Sequence, residues 1–184
     1  MYTPISISVR SILQIIRMKV KLSFLGLLFI VLASFTETQA QAHYQGQLTF
    51  NPALGLGTYG YYGAGLGLPL IFKADFGVHD YVDVGPYGGL ILANNTTSIS
   101  FGGRANFNFW QLIDENTDAD LASDAVDFYL SAFLGWEIGD LPDRLRGGST
   151  LGVKWWFSDP LGLMVEVGGG PVSYSEFGLA IRVR

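Results

Sequence analysis

The residues that could do chemistry in this chain are few, charged and regularly spaced. Lys73, Asp75, Asp83, Arg104, Glu137, Lys154, Glu166 and Arg182 stand among glycine, serine and asparagine, and Asp127 and Glu176 fall on the same alternating positions. Two sequence-adjacent side chains point to opposite faces of a β-strand, so residues two apart share one. The period therefore gathers four cations and their carboxylates on one surface. In a narrow interior such charges must pair, because an unpaired buried ion costs several kcal/mol. A salt-bridge network that closes the interior is one reading, and an ion path lined by the same groups is another. An acid–base pair for catalysis is disfavoured, since carboxylates interleaved with cations are neutralised rather than poised.

The other constellations carry less. His43 and His79 are the two histidines, one at the start of the mature chain and one in a turn, so no Ser-His-acid triad is expected. The chain has no cysteine, hence no disulfide, thiolate metal site or cysteine nucleophile. Asp114, Glu115, Asp118, Asp120 and Asp124 offer carboxylate oxygens of the kind calcium prefers. They lack the glycine and closing bidentate glutamate of an EF-hand loop, and read as a solvated acidic turn. No cofactor or metal site is expected. Tyr59, Tyr61 and Tyr62 lie among glycines and form a candidate outer-loop contact for sugar or protein, or an aromatic rim.

The elements that must position these groups are strands. Ile99, Phe101, Ala105, Phe107 and Phe109 alternate with Ser98, Ser100, Arg104, Asn106 and Asn108, with a glycine on each face at Gly102 and Gly103. The same pattern predicts eight strands near 47–57, 68–78, 81–93, 98–111, 125–138, 148–158, 161–169 and 174–184. Turn chemistry separates them at Val78-His79-Asp80, Asn94-Asn95-Thr96, Ser158-Asp159-Pro160 and Gly169-Gly170-Pro171. One short helical turn is expected between Leu112 and Asp124. The connections near 79, 112–124 and 159 fall on one side, and those at 58–67, 94–97, 139–147 and 170–173 on the other.

Which face points outward is the central question. A soluble, lipocalin-like barrel binding a small hydrophobic ligand would hold the oily face inside, and a membrane barrel would turn it to lipid. The polar face has few of the lysines and glutamates of a soluble surface, and charged residues are only 15% of the chain. Trp110, Trp136, Trp155 and Trp156 fall towards strand ends, where interfacial girdles sit. The expectation is an all-β fold: an eight-stranded antiparallel up-and-down transmembrane β-barrel.

A targeting segment is expected ahead of it. Lys19 and Lys21 precede an apolar run from Leu22 to Phe35, and Ala40-Gln41-Ala42 is a small-x-small cleavage site. Residues 1–42 read as a cleaved signal peptide, with Ala40 as a second cleavage point and Met18 as a second candidate start; residues 43–184 read as the barrel domain. Removing 1–42 takes four basic residues and one acidic one from a chain of net charge −5, which leaves −8. Such a surface does not suit nucleic acid.

The segments GGRANFNF from Gly102 and DFYLSAFLG from Asp127, with the closing pair GLMVEVGGG from Gly162 and FGLAIRVR from Phe177, resemble the small eight-stranded outer-membrane β-barrels of Bacteroidota, of OmpA/OmpX type. The resemblance covers the whole mature chain and rests on patterns. It implies an outer-membrane location, lipids and the barrel assembly machinery as partners, a monomer, and a non-enzymatic structural or surface-interaction role. Such barrels commonly end on an aromatic residue, whereas this chain ends Val183-Arg184, with Phe177 as the substitute. A narrow channel is the remaining alternative.

Overall fold

The computed structural model describes residues 43–58, 68–93, 96–117, 121–140 and 143–183. The expected signal peptide at 1–42 and the tyrosines Tyr59, Tyr61 and Tyr62 lie outside the described residues. Eight strands follow in order: β1 (Leu48–Thr58), β2 (Leu68–His79), β3 (Val82–Ala93), β4 (Thr96–Asn108), β5 (Val126–Gly139), β6 (Arg144–Ser158), β7 (Leu161–Gly168) and β8 (Ser173–Arg182). Each pairs antiparallel with its neighbour in sequence, and β1 pairs with β8, so the sheet closes on itself. This is the expected up-and-down barrel. One end carries residues 43 and 183 and the connections β2–β3, β4–β5 and β6–β7. It is called the turn end here, and the opposite end the loop end.

Two prolines mark weak points of the wall. Proline has no N–H to give to a ladder. The β1–β8 register skips Asn51 and Pro52, and the β2–β3 register skips Pro86. Pairing runs without a break across β3–β4, β4–β5 and β5–β6, and β6–β7 shifts register between Trp156 and Ser158.

The orientation of the two faces is unambiguous. Phe72, Phe101, Leu130, Leu134, Leu151 and Val167 each turn close to half of their surface outward. Lys73, Asp75, Asp83, Arg104, Lys154 and Glu166 are buried inside. That is the reverse of what a soluble lipocalin-like barrel needs. The lumen also holds a smaller apolar set, with Ile71, Ile91 and Val172 and the edge-to-face pair Tyr87–Phe133 at 5.7 Å.

Three local expectations are corrected. The fourth strand stops at Asn108, not 111, and a helix, α1 (Phe109–Glu115), follows. The apolar residues Phe109, Leu112 and Ile113 recur at three and four positions, a helical spacing that overrides the alternation. The sixth strand begins at Arg144, because Glu137 and Arg144 are register partners and the period of two runs on through Arg146. Trp156 does not join a girdle: it is buried in the lumen under the Arg182 guanidinium, 4.3 Å from its ring. Trp136 and Trp155 do face outward.

The lumen charge network as candidate functional site

The centre of the lumen is built around Tyr129, which is fully buried. Its ring needs the space over Gly152 on the paired strand, where a Cβ would stand 2.2 Å from the ring. The Tyr129 hydroxyl donates to Glu166 Oε1 at 2.7 Å, and the Lys154 ammonium sits over the ring at 4.9 Å. Side chains from five strands then converge on two carboxylates. Glu166 accepts from Arg104 Nη2 at 3.0 Å and from Thr150 Oγ1 at 2.9 Å, and pairs with Lys73 Nζ at 2.9 Å. Lys73 also contacts Glu176. Asp75 is met by Arg104 Nε at 3.2 Å, Lys154 Nζ at 3.5 Å and Asn51 Nδ2 at 2.8 Å. Hydrogen bonds to ionised groups in a low-dielectric interior are the strong ones.

The eight charged residues expected on one face do share it, but they form three groups rather than one. Lys73, Asp75, Asp83, Arg104, Lys154 and Glu166 belong to the central network. Glu137 belongs to the loop end, where Arg144 at 3.1 Å and Arg146 at 3.0 Å both reach its Oε2. Arg182 belongs to the turn end, 2.6 Å from Asp159. Arg144 and Arg146 were hidden by the expected loop at 139–147; the alternation running back from Thr150 is the signal that could have found them.

The turn end is closed by the segment ahead of β1. Gly46 N–H donates to the Gly77 carbonyl at 2.8 Å, and Gly77 N–H returns a bond to Gln47 at 2.9 Å. Gly77 must be glycine here, since a Cβ would lie 2.5 Å from the Tyr44 carbonyl oxygen. The segment tucks His43 inside, with Nε2 3.0 Å from the His79 carbonyl and Nδ1 3.1 Å from Asp83. Burial pushes the His43 ring down from its ordinary value, and Asp83 pulls partly back. Both histidines thus belong to the turn end, as expected.

In the β4–β5 connection at the turn end, Asp114 of α1 accepts from the Ser123 hydroxyl and from Leu121 N–H at 2.9 Å. Those bonds, the Ser123 hydroxyl first, hold its carboxyl below the usual range. Tyr81 donates to Glu115, which raises the phenol. Asp114 and Glu115 of the acidic turn are therefore tied by hydrogen bonds within this region, and Asp118 and Asp120 lie outside the described residues. Among the described residues no group of three or more His, Cys, Asp or Glu is placed to hold a metal ion.

No known family model matches the chain, and no curated protein sequence does. Solved structures do. The chain is similar to the N-terminal β-barrel domain of Pseudomonas aeruginosa OprF, at 11% identity and TM-score 0.50, over 75% of this chain and 98% of that one. It is also similar to de novo designed transmembrane β-barrels. One is 18% identical with TM-score 0.49 over 76% of this chain and 97% of that one. The designed barrel TMB2.3 is 18% identical with TM-score 0.46 over 77% and 97%. At such identity the OprF likeness speaks for the fold, which is that of a small eight-stranded barrel of the outer-membrane type.

Proposed function

We propose that this chain is an outer-membrane β-barrel, anchored by its apolar wall and plugged by its own charged side chains. Its role on this reading is structural or surface-interacting and non-enzymatic, of the kind its sequence resembles in the OmpA/OmpX-type barrels of Bacteroidota. The observation that carries it is the inside-out partition: half-exposed phenylalanine, leucine and valine around the wall, buried Lys, Arg, Asp and Glu within. In water that arrangement would expose a continuous oily belt and hide the charges, while a bilayer reverses the balance. Seven of the eight strands have ten or more residues, long enough for the roughly 9–11 that a tilted strand needs to cross. Lipids are the partners of the wall, and the assembly machinery its partner during biogenesis. The matched donors of the central carboxylates suit a plug that pins strand register.

The test is fractionation. The mature protein should stay in membranes through carbonate extraction and should migrate differently on gels before and after heating. Release by carbonate with no heat-dependent mobility would overturn the reading. Planar bilayers should show no discrete conductance, and steady channel currents abolished by Glu166→Gln would replace the plug with a narrow channel.

A further inference from the structure

One buried acid stands apart from the network. Asp127, the first inward residue of β5, is almost wholly buried, and among the described residues neither carboxylate oxygen has a hydrogen-bond partner. Lys154 is its register partner on β6, but that ammonium turns to Asp75 at 3.5 Å and Asp83 at 3.7 Å. Among the described residues, no cation is within ion-pair distance of Asp127.

The polar groups of this end of the lumen deepen the deficit. Asn51 gives its Nδ2 to Asp75 at 2.8 Å, Asn108 gives Nδ2 to Asp83 at 3.1 Å, and Gln111 gives Nε2 to Glu115 at 2.8 Å. Turning any of these amides over would set its oxygen against a carboxylate, so the orientations are dictated. Each amide oxygen is then left buried and, among the described residues, without a donor. The charged groups that act on Asp127 are Lys154 on β6 and Asp83 on β3; Asn108 on β4 and His43 of the leading segment bind that Asp83, Asn51 on β1 binds the Asp75 that shares Lys154, and Gln111 of α1 binds Glu115. They offer acceptors in excess.

The charges agree. With the buried Arg182 held by Asp159 and the buried Glu137 by Arg144 and Arg146, Lys73, Arg104 and Lys154 are left to face Asp75, Asp83, Asp127, Glu166 and Glu176. Even with a charge on His43, which stands on Asp83, the carboxylates outnumber the cations by one. A buried ion without a partner is strongly disfavoured, and taking up a proton is the way out.

We propose that Asp127 is a proton-binding site of the folded barrel, held as the neutral acid, and that this proton latches α1 over the turn end. The proton comes from solvent, and taking it up removes a buried charge that no cation offsets. Phe128, the next residue, packs against Trp110 of α1 with ring centroids 4.6 Å apart, and Trp110 Nε1 donates to the Leu121 carbonyl at 3.0 Å. When Asp127 ionises, the anion draws water beneath α1 and this stack loosens. The inference concerns the lumen alone and stands independently of what surrounds the wall.

The test uses the whole mature barrel, refolded in detergent. Infrared spectra should contain a protonated-carboxyl band that Asp127→Asn removes and that fades with rising pH over about two units, as a single site does. The Trp110 emission, taken as the difference from Trp110→Phe, should shift over the same interval in the wild type and stay flat in Asp127→Asn. Were Asp127→Asn unable to fold, the carboxyl-carbon resonance of Asp127 in the wild type would give the same answer. A spectrum identical with and without the Asp127 carboxyl between about pH 5 and 8 would overturn the proposal. So would a carboxyl signal that ignores pH but moves on adding sodium or calcium ions, which would assign the site to a metal cation.

Discussion

Glu166 and Asp127 are both acids inside the same barrel, exposed by 1% and 3% respectively, and they live in opposite conditions. Glu166 is met by a guanidinium, an ammonium, a phenol and a threonine hydroxyl, all within 3.0 Å. Among the described residues, Asp127 is met by no donor. Burial is therefore not what distinguishes a carboxylate that holds a barrel together from one that strains it. The supply of donors is, because the desolvation cost of a buried charge is offset only when its hydrogen bonds are made.

The strongest way to break this contrast is to take donors away from the centre. Arg104→Leu leaves Asp75 and Glu166 each one cation short, and should cost about 3–5 kcal/mol in urea unfolding of the refolded barrel. Cooperative loss of the heat-dependent gel shift at lower urea would report it. An unfolding midpoint unchanged from wild type would mean that the central ion pairs carry no net stability and that donors are not the deciding quantity.

An arginine moved across the wall should be refused almost as firmly. Phe101, three residues before Arg104, points outward from the middle of β4. Phe101→Arg should cost roughly 2–4 kcal/mol in a bilayer, and much less in a detergent whose headgroups the side chain can reach. Equal costs in the two environments would remove lipid from the explanation. The same residue type is then required at one position and rejected three residues away on the same strand, by which face it occupies.

Much of this was legible in the sequence, for a physical reason. A closed barrel imposes strict alternation on every strand, so Phe101, Ala105 and Phe107 against Ser100, Arg104 and Asn106 declare both the strand and its faces. The partition of the charges within the lumen was not legible. Which inward group meets which depends on the stagger between strands far apart in sequence: Arg104 and Glu166 are 62 residues apart. Alternation also says nothing of where a side chain of several bonds bends, so Lys154 opposite Asp127 gave no hint that its ammonium serves Asp75 and Asp83. The helix at Phe109 was obscured because its first residue still obeyed the strand period.

Smaller effects sharpen the comparison at the turn end. Asp127→Asn removes a carboxyl that has no donor among the described residues and leaves a neutral side chain of nearly the same shape. Its unfolding free energy should lie within about 1 kcal/mol of the wild type or above it, against the several lost with Arg104→Leu. A loss as large as that of Arg104→Leu would show that Asp127 is paired after all.

Asp114 supplies the opposite case, a carboxylate near the surface that does have donors. Its bonds from Ser123 and Leu121 lower its affinity for a proton in the folded state relative to the unfolded chain. Its contribution to the fold of the α1–β5 connection is therefore present above the unfolded value, about 4, and is lost as the pH falls through the lowered folded value. Amide exchange at Leu121, corrected for its intrinsic pH dependence, should stay slow at neutral pH and quicken in acid, and Asp114→Asn should abolish that acid dependence. The Asp127 latch loosens instead as pH rises. Two aspartates 13 positions apart, one on each side of the same turn, should thus respond to pH with opposite signs, and a common sign for both would mean that donor supply does not govern them.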